Sequence, residues 1–490
     1  MLGRIALSLA IGLSTLTAQT LPDRPEKLSF PQLAFQVPRA KDFKDSLKNK
    51  VPVYLSADAT SAPIVRLSIN WKGGSYMEPA GKEGLTQFFG LLARGGSTKM
   101  PLAQQEELLD SLAASITSSS GSTSGSISMQ CLEKDFHQVF QMMIDTLLHP
   151  AFPQDRLDIA KFATKQALTR RNDQVTSIAA YQMQHLLFGE DHFSVKNPTP
   201  ASVDSITRED LLAFHSQILH PSNLQVTITG KFNRRAVMDR LNATGSIGSM
   251  RPTRVAPLPK VPAPEFTRTP GIYVVNRPNA PQAMVSWAFP GMRRSSDHDW
   301  YAATVMNHIL GGSFTSLLMK KIRSNEGLTY GIRTNLGQGA YWTGDLTGSA
   351  QTSNNTVAYL MRLAFAEMDT LKNVPIADSE LQRIKGGIVD SFPSSWGKSA
   401  VVGTLASEAM AGWPEDWWIN YREKIMAVTA ADVQRMARRL LDMNKIVILA
   451  VGQADVIEAG DKDRPGLLKD LLPLPMKRLP LRDPNTGKPM

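Results

Sequence analysis

The fold is decided by residues 206–230, which read ITREDLLAFHSQILHPSNLQVTITG. Thr207 is placed to cap a helix that ends at the His-Pro pair. The residues that follow alternate between apolar and polar side chains, which predicts a β-strand. Residues 428–452, VTAADVQRMARRLLDMNKIVILAVG, repeat these signals in the same order, with Thr429 standing 222 positions after Thr207. The repeat indicates an internal duplication.

A second pair of landmarks lies upstream at nearly the same offset. In the first half, one face of an amphipathic helix is formed by Phe136, Val139, Phe140, Met143 and Leu147. A proline-containing turn and a second helix through Leu157 follow. The second half repeats this pair of helices over residues 357–371 and then through Leu381, which lies 224 positions after Leu157. Two separate landmarks with a near-constant offset support the duplication.

The strand signals complete the plan of each half. Alternating strands open the two halves at residues 65–71 and at residues 285–289. The Ser- and Gly-rich residues 118–128 are flanked by alternating apolar positions, which predicts a β-hairpin instead of a low-complexity segment. Strands and helices come in mixed runs without regular β-α-β alternation. The predicted fold class is α+β, with two homologous domains that each pack a mainly antiparallel sheet with helices.

These signals divide the chain of 490 residues into six segments. They are a signal peptide (1–18), an N-terminal extended segment (19–44), a first α+β domain (45–245), a Pro-rich linker (246–270), a second α+β domain (271–462) and a Pro-rich C-terminal tail (463–490). The prolines of the linker favour an extended, semi-rigid connection. The tail is expected to be draped over the surface or disordered.

The N-terminus predicts export to a bacterial periplasm. Arg4 precedes an apolar run, residues 5–16, and a small residue, Ala18, follows it. This is the layout of a secretory signal peptide, the alternative being a buried N-terminal helix. No internal stretch reaches the ~20 apolar residues that span a bilayer. We therefore expect no integral membrane segment after the signal peptide is cleaved.

Cysteine usage and charge exclude several classes of protein. Cys131 is the only cysteine in the sequence, which rules out an intrachain disulfide and a cysteine-based metal site. The net charge of +10 is spread without a long basic run, and no nucleic-acid motif occurs. A solvated surface is the expected reading of this charge, and a preference for acidic partners or an anionic membrane surface is the alternative.

Three stretches resemble the insulinase/pitrilysin superfamily of zinc peptidases, and within it the two-domain, processing-peptidase-like branch. They are residues 73–79 (GGSYMEP), residues 149–153 (HPAFP) and residues 310–331 (LGGSFTSLLMKKIRSNEGLTYG). The third is the most specific, because an R-x-x-x-G-L-x-Y arrangement follows a Gly-Gly helix start. The resemblance covers residues 45–460 and implies that the two domains form one half of a clamshell around a peptide.

The resemblance places the family's inverted H-x-x-E-H zinc motif at residues 87–91, which read QFFGL. Gln87 and Leu91 stand at the positions of the two histidine ligands, and Gly90 at that of the glutamate base. The third ligand, a glutamate on a later helix, matches Gln166. Gln, Gly and Leu offer no imidazole, thiolate or carboxylate, and so they cannot hold Zn²⁺ or activate a water. We therefore expect no catalytic residues and no metal in this chain.

Nothing else in the sequence replaces the missing site. None of the eight histidines is spaced with another histidine and a carboxylate as a metal-binding helix requires, and no G-x-S-x-G nucleophile motif occurs. His215 and His220 are five positions apart and do not share a helix face. A self-sufficient peptidase would need a metal arrangement that no motif here indicates.

The family's second functional pair is retained. In its heterodimers one subunit carries the zinc motif, and the other supplies an arginine and a tyrosine that contact substrate. Arg323 and Tyr330 match those two positions. A guanidinium and a phenol can donate hydrogen bonds to a peptide carbonyl and to the oxyanion that forms during hydrolysis. Without the surrounding block, Arg323 would read as a solvated helix residue and Tyr330 as a residue at the edge of the core.

The resemblance therefore implies a non-catalytic partner subunit of a heterodimeric zinc metalloendopeptidase. Arg323 and Tyr330 would bind substrate, and a homologous H-x-x-E-H subunit would supply the zinc. Such a complex would act on short or unfolded peptides and be active only when both subunits are present. The alternative is a non-enzymatic peptide-binding or scaffold protein on the same fold, similar in role to the core subunits of respiratory cytochrome complexes.

Overall fold

The structure is a computed structural model that describes Arg24 and residues 35–251, 257–415, 417–464 and 466–490. The predicted signal peptide, 1–18, and most of the N-terminal segment, 19–44, lie outside the described residues. The chain divides into two compact units, 1–36 and 37–490, and all the helices and strands below belong to the second. No helix in the described ranges is both long and apolar enough to cross a membrane.

The first half is a six-stranded sheet packed with helices. Its strands are β1 (Lys44–Ser46), β2 (Pro52–Ala57), β3 (Ile64–Lys72), β4 (Ser115–Ser120), β5 (Ser124–Leu132) and β6 (Leu224–Gly230). Its helices are α1 (Ala40–Phe43), α2 (Leu85–Leu92), α3 (Leu102–Ser111), α4 (Phe136–Leu148), α5 (Gln154–Thr169), α6 (Val175–Phe188), α7 (Pro200–Ser205), α8 (Arg208–Ile218) and α9 (Arg234–Leu241). The strand order is β1-β2-β6-β3-β5-β4, and β2 runs parallel to β6 while the other neighbours are antiparallel.

The second half repeats this plan after the linker, in which a short 3-10 helix, Ile247–Ser249, is followed by residues 257–270 without a helix or strand. Its strands are β7 (Gly271–Asn276), β8 (Ala283–Pro290), β9 (Ile332–Leu336), β10 (Asp345–Thr352), β11 (Val447–Gly452) and β12 (Met476–Leu479). Its helices are α10 (Trp300–Asn307), α11 (Val357–Asn373), α12 (Asp378–Ser391), α13 (Val401–Met410), α14 (Tyr421–Ala427), α15 (Ala430–Leu440) and α16 (Ala454–Ala459). Two π-helical turns, His308–Gly312 and Met319–Asn325, lie between α10 and β9.

The two sheets have equivalent topology. The second has the order β12-β7-β11-β8-β10-β9, with β7 parallel to β11 as β2 is to β6. The edge hairpin β9/β10 corresponds to β4/β5, which is the hairpin predicted from the Ser- and Gly-rich segment. The predicted α+β fold of two homologous halves is therefore confirmed. Both sheets are mixed: the first contains the parallel pair β2/β6, and the second contains the parallel pairs β7/β11 and β12/β7.

A tryptophan–glycine contact marks the same position in both sheets. Trp71 of β3 is fully buried against Gly125 of the paired strand, where a Cβ would come within 2.5 Å of the indole. Trp287 of β8 covers Gly348 in the same way, and a Cβ there would come within 2.2 Å. The large ring occupies the volume that a side chain on the neighbouring strand would need, so glycine is required at both places.

The helix starts that indicated the duplication are both capping boxes. The Thr207 hydroxyl accepts from the Asp210 N–H at 3.3 Å, and the Asp210 carboxylate accepts from the Thr207 N–H at 2.7 Å. Thr429 and Asp432 make the equivalent bonds at 3.2 and 3.0 Å. The predicted caps of α8 and α15 are therefore confirmed.

Each half places one helix on the sheet of the other. Helix α6 of the first half packs on β8 and β11, where Ile178, Ala179 and Met183 share an apolar cluster with Val447, Leu449 and Val451. Helix α13 of the second half packs on β2 and β6, and the Gln225 side-chain amide donates to the Ala406 carbonyl at 2.9 Å. This exchange of helices fixes the two halves to each other.

The C-terminal tail packs on both halves, which agrees with the expected draped segment and not with the disordered alternative. Strand β12 pairs in parallel with β7 and completes the second sheet. Beyond it, Arg482 is buried against the first half, where its Nη1 donates to the Glu190 carboxylate at 2.9 Å. The Asn172 amide donates to the Arg482 carbonyl at 2.8 Å. These pairings involve tertiary contacts that proline content alone does not reveal.

Candidate functional site

Helix α2 carries the positions of the family's metal motif, and the half-buried carboxylate of Glu78 caps it. Gly84 precedes the helix with φ +102°, a left-handed conformation that suits glycine. The Glu78 carboxylate accepts from the Gly84 and Thr86 N–H groups at 3.1 and 2.7 Å. Burial raises the pKa of Glu78, and these backbone bonds oppose that rise. Glu78 has a structural role that its position within residues 73–79 did not reveal.

The general-base position is closed by the neighbouring strand. Gly90 is buried against β4, and a Cβ added there would lie 2.4 Å from the Ser120 nitrogen. The Ser118 hydroxyl donates to the Gly90 carbonyl at 2.6 Å, which fixes the helix in this place. The contact leaves no volume for a glutamate side chain unless helix and strand separate.

The ligand positions are exposed and chemically unsuited to zinc. Gln87 and Gln166 are exposed amides, and the apolar side chain of Leu91 is 50% exposed. Helices α2 and α5, which carry them, pack against each other. No group of three or more His, Cys, Asp or Glu residues that could hold a metal occurs in the part of the chain that the structure describes. The family's zinc does not fit this donor set, which offers neither imidazole nor carboxylate.

The second candidate region, the Arg323 cluster, consists of Phe314, Arg323 and Tyr330. The guanidinium carbon of Arg323 lies 4.7 Å from the centroid of the Phe314 ring and 5.2 Å from that of the Tyr330 ring. Cation–π attraction holds a guanidinium in this arrangement. The structure thus brings together the two residues predicted from sequence and adds a third.

The backbone of the Arg323 cluster follows from the end of a helix. Arg323 lies in the π-helical turn Met319–Asn325, and the Gly327 N–H donates to its carbonyl at 3.2 Å. Gly327 has φ +64° and reverses the chain. Tyr330 then lies two residues before β9.

The guanidinium of Arg323 is free to bind a ligand. The nearby carboxylate of Glu326 is engaged by the Lys321 ammonium and the Tyr359 hydroxyl, both at 2.9 Å, and the Lys321 bond is the main cause of its lowered pKa. Among the described residues, the Arg323 side chain makes ring contacts but no hydrogen bond or ion pair. An unpaired planar donor can bind a carbonyl, a carboxylate or an oxyanion.

Both candidate regions adjoin an edge strand. Helix α2 packs on β4, which ends the first sheet, and Tyr330 immediately precedes β9, which ends the second. Gly311 packs on Thr334 of β9, where a Cβ would lie 2.6 Å from the threonine hydroxyl, so the segment before Phe314 lies against the same strand. Each half therefore presses a glycine against its edge strand, Gly90 on β4 and Gly311 on β9, and the second half adds the exposed Arg323 cluster.

Sequence reasoning missed Phe314. The residue lies within residues 310–331, but the sequence does not show that its ring is 70% exposed or that it contacts Arg323. A large apolar residue nine positions before an arginine has no fixed spatial relation to it when a turn and the start of a π-helical segment lie between them. The available signal was a phenylalanine flanked by Ser313 and Thr315, where a core residue would have apolar neighbours.

Two family descriptions match the sequence: "Insulinase (Peptidase family M16)" over residues 53–189, and "Peptidase M16 inactive domain" over residues 205–388. An uncharacterized zinc protease of Streptomyces coelicolor is 20% identical over 373 residues, which are 75% of this chain and 80% of that protein. The non-peptidase homolog YmxG of Helicobacter pylori is 22% identical over 318 residues, which are 64% of this chain and 72% of that protein.

Solved structures share the fold. An M16 inactive domain from Pseudomonas fluorescens superposes with a TM-score of 0.71 at 20% identity, over 84% of this chain and 97% of that one. The periplasmic protease PqqL from Escherichia coli superposes with a TM-score of 0.70 at 17% identity, over 90% of this chain and 49% of that one. At these identities the likeness establishes the architecture alone.

Proposed function

The chain belongs to the insulinase (M16) family of peptidases, and we propose that it acts there as the non-catalytic subunit of a heterodimeric zinc endopeptidase. It has the two-domain fold of the family without the residues that hold the metal. In this proposal a homologous subunit with an intact H-x-x-E-H motif supplies zinc, ligands and base, and this chain supplies Arg323 and Tyr330 for substrate binding.

The observation that carries the proposal is the unpaired guanidinium of Arg323. A surface arginine commonly finds a carboxylate, yet Glu326, three residues on, is taken by Lys321 and Tyr359. The side chain is instead held over two rings with its donors free. Preorganised donors that have no internal partner are suited to a group that arrives from outside.

The chemistry assigned to this chain is the binding and charge stabilisation of a peptide bond. Arg323 would donate to the carbonyl of the peptide and to the oxyanion into which it develops, and the Tyr330 hydroxyl would donate beside it. Zinc in the partner would activate the attacking water. No residue of this chain takes the role of base, because Gly90 occupies that position and is closed by β4.

The substrate class follows from the edge strands. Strand β9 is paired on one side only, with β10, among the described residues. An extended peptide can add to such an edge through main-chain hydrogen bonds, whereas a folded domain cannot. We therefore assign short or unfolded peptides as substrates.

Export to the periplasm is part of the same proposal. It rests on the apolar run at residues 5–16, and PqqL, which shares the fold, is described as periplasmic. Fractionation of native cells followed by N-terminal sequencing is the test. A mature protein that begins near residue 19 in the periplasmic fraction supports export, and an intact N-terminus in the cytoplasm overturns it.

Co-purification from native cells, followed by reconstitution, tests the subunit role. The zinc-bearing protein that co-purifies is mixed with wild-type chain or with the Arg323→Ala/Tyr330→Phe double variant, and cleavage of an unfolded peptide is measured. We expect the double variant to lose about 10²–10³-fold in kcat/KM, the range for an oxyanion donor. Arg235→Ala is the charge-matched control, because its side chain is 93% exposed on α9.

The outcomes separate the two functions. Full activity of the double variant contradicts the assigned roles. A stable complex without peptidase activity favours the alternative, a peptide-binding or scaffold protein. Stoichiometric zinc in the isolated chain, measured by metal analysis, would contradict the division of labour between two subunits.

A further inference from the structure

Two aromatic rings of the Arg323 cluster are more exposed than any other large apolar side chain in the described ranges. Tyr330 is 91% exposed and Phe314 is 70% exposed. A ring in water forgoes the stabilisation that its burial would give. Since both rings meet at one unpaired guanidinium, this surface is suited to being covered by a binding partner or ligand.

The exposed rings project from a rigid backbone. The Leu328 carbonyl accepts from the buried Thr352 hydroxyl at 2.8 Å, and Ile332, two residues after Tyr330, is fully buried. Phe314 is likewise close to anchored residues, because Leu310 and Leu318 are fully buried. A backbone fixed in this way loses little conformational entropy when the rings bind a ligand.

The charges around the Arg323 cluster indicate which polar group of a ligand can bind there. Lys320, three residues before Arg323, is exposed, and Glu326 is already paired with Lys321. The free donors of Arg323 therefore meet no competing carboxylate and favour an acceptor such as a peptide carbonyl. The apolar surface beside these donors is the ring of Phe314, 4.7 Å from the guanidinium carbon.

We propose that Phe314 is a specificity-determining residue. Its ring contacts a large apolar or aromatic side chain of an extended peptide while Arg323 binds the backbone carbonyl next to that side chain. This inference rests on the proposed function, which places a peptide at the Arg323 cluster. It adds the class of substrate: peptides with a bulky apolar residue beside the bound carbonyl.

Peptide binding tests the inference directly. Fluorescein-labelled peptides of alanine, serine and threonine are compared with the same peptides carrying a single phenylalanine, moved through the sequence. Affinity is measured by anisotropy on the chain alone and on its complex with the zinc-bearing subunit. We expect the best-placed phenylalanine to tighten binding about tenfold, the scale of one apolar side chain in a pocket.

Variants assign the preference to Phe314. Phe314→Ala should weaken the phenylalanine peptide about tenfold more than the phenylalanine-free peptide, and Phe314→Leu should retain most of the preference. Phe162→Ala removes a ring that is 65% exposed on α5 and should leave the preference unchanged. Thermal melting of each variant checks that it is folded.

The results that overturn the inference differ from those that overturn the proposed function. The inference fails if wild-type chain and complex show no preference for phenylalanine, or if Phe314→Ala weakens both peptides equally. Arg323→Ala should weaken both peptides and leave their ratio nearly unchanged. Undiminished cleavage by the complex that contains the Arg323→Ala/Tyr330→Phe variant would instead contradict the proposed catalytic contribution of these two residues. The preference at Phe314 would still be measurable by peptide binding.

Discussion

The two halves differ most in the segment between the central strand and the edge hairpin. In the first half this segment is α2, where Gly90 is pressed against β4. In the second half the segment ends in the Arg323 cluster, where Gly327 has open space around it. One glycine permits close packing and the other permits a chain reversal. Both halves press a glycine against the edge strand, Gly90 on β4 and Gly311 on β9, and the second half adds the exposed Arg323 cluster after it.

The packing of Gly90 shows that the missing metal site involves more than the replacement of four side chains. Replacing ligands alone would leave an open cavity that reversion could refill. Instead, the Gly90 carbonyl accepts a hydrogen bond from Ser118, and β4 occupies the space that a side chain at position 90 would need. The loss of chemistry is therefore built into the packing of helix on strand.

The largest effect is expected when a glutamate is introduced at position 90, where α2 is packed closely against β4. Gly90→Glu forces a side chain into a contact where a Cβ alone would lie 2.4 Å from a backbone nitrogen. Overpacking and burial of a carboxylate should lower the free energy of unfolding by about 3 kcal/mol. Urea denaturation measures this change.

The matched controls for Gly90→Glu are changes at the exposed positions of the same helix. Gln87→His and Leu91→His should alter the free energy of unfolding by no more than about 0.5 kcal/mol. A Gln87→His/Gly90→Glu/Leu91→His variant that keeps wild-type stability and binds one zinc would show that the site is open after all.

A second prediction concerns the contact that keeps the two halves together. His185 of α6 is buried beside the tail, and burial lowers its pKa to about 4. The unfolded histidine has a pKa near 6.5. As pH falls from about 6.5 towards 4, the unfolded state takes up a proton that the folded state does not, so stability should fall by about 2 kcal/mol.

Charged neighbours of His185 affect the stability of the protein between pH 6.5 and 4 or at lower pH. Arg482 and Lys196 lower its pKa further, and Glu190 opposes them. The Arg482 bond lowers the pKa of Glu190, so that ion pair is lost only at still lower pH and adds to the destabilisation. His185→Gln should flatten the stability profile between pH 6.5 and 4, whereas exposed His298→Gln should not. An unchanged profile in His185→Gln would refute the assignment.

A smaller effect is expected where Glu78 caps α2. Glu78→Ala leaves the Gly84 and Thr86 N–H groups without an acceptor and should lower the free energy of unfolding by about 1 kcal/mol. Glu83→Ala is the control, because the Glu83 carboxylate bonds only the exposed Gly81 N–H at 3.1 Å. Equal losses in the two variants would argue that Glu78 does not hold the closed helix in place.

The smallest effect should come from the open region. Phe314→Ala and Tyr330→Phe remove exposed atoms and should change the free energy of unfolding by less than about 0.5 kcal/mol. Chemical denaturation of both variants measures it. A loss above about 1 kcal/mol would mean that these rings serve folding, and the contrast with Gly90 would weaken.

Local patterns predicted the repeated architecture. Thr207 and Thr429 cap their helices as expected, because an N-cap depends on residues within a few positions of it. The alternating strands also formed where predicted, since β3 buries every second side chain. These features depend on residues that are close together in the sequence, and so local patterns can predict them.

The features that sequence reasoning did not predict depend on distant contacts. The packing of Gly90 on Ser120 joins residues thirty positions apart, and the pairing of β12 with β7 joins segments some two hundred positions apart. The exposure of Phe314 depends on the tertiary packing around it, which no local sequence pattern predicts. The positions of Arg323 and Tyr330 came from family resemblance, and their roles remain predictions.

The exchange of α6 and α13 between the halves has a consequence for how this chain is inherited. After a duplication, each copy could have remained an independent unit that recombination might shuffle or delete. Here the apolar side chains Val447, Leu449 and Val451 of one half are covered by a helix encoded in the other. A gene cut at the linker would yield two fragments with uncovered sheets, each prone to aggregate. The two halves must therefore evolve together, because a substitution in either half has to be compatible with the other.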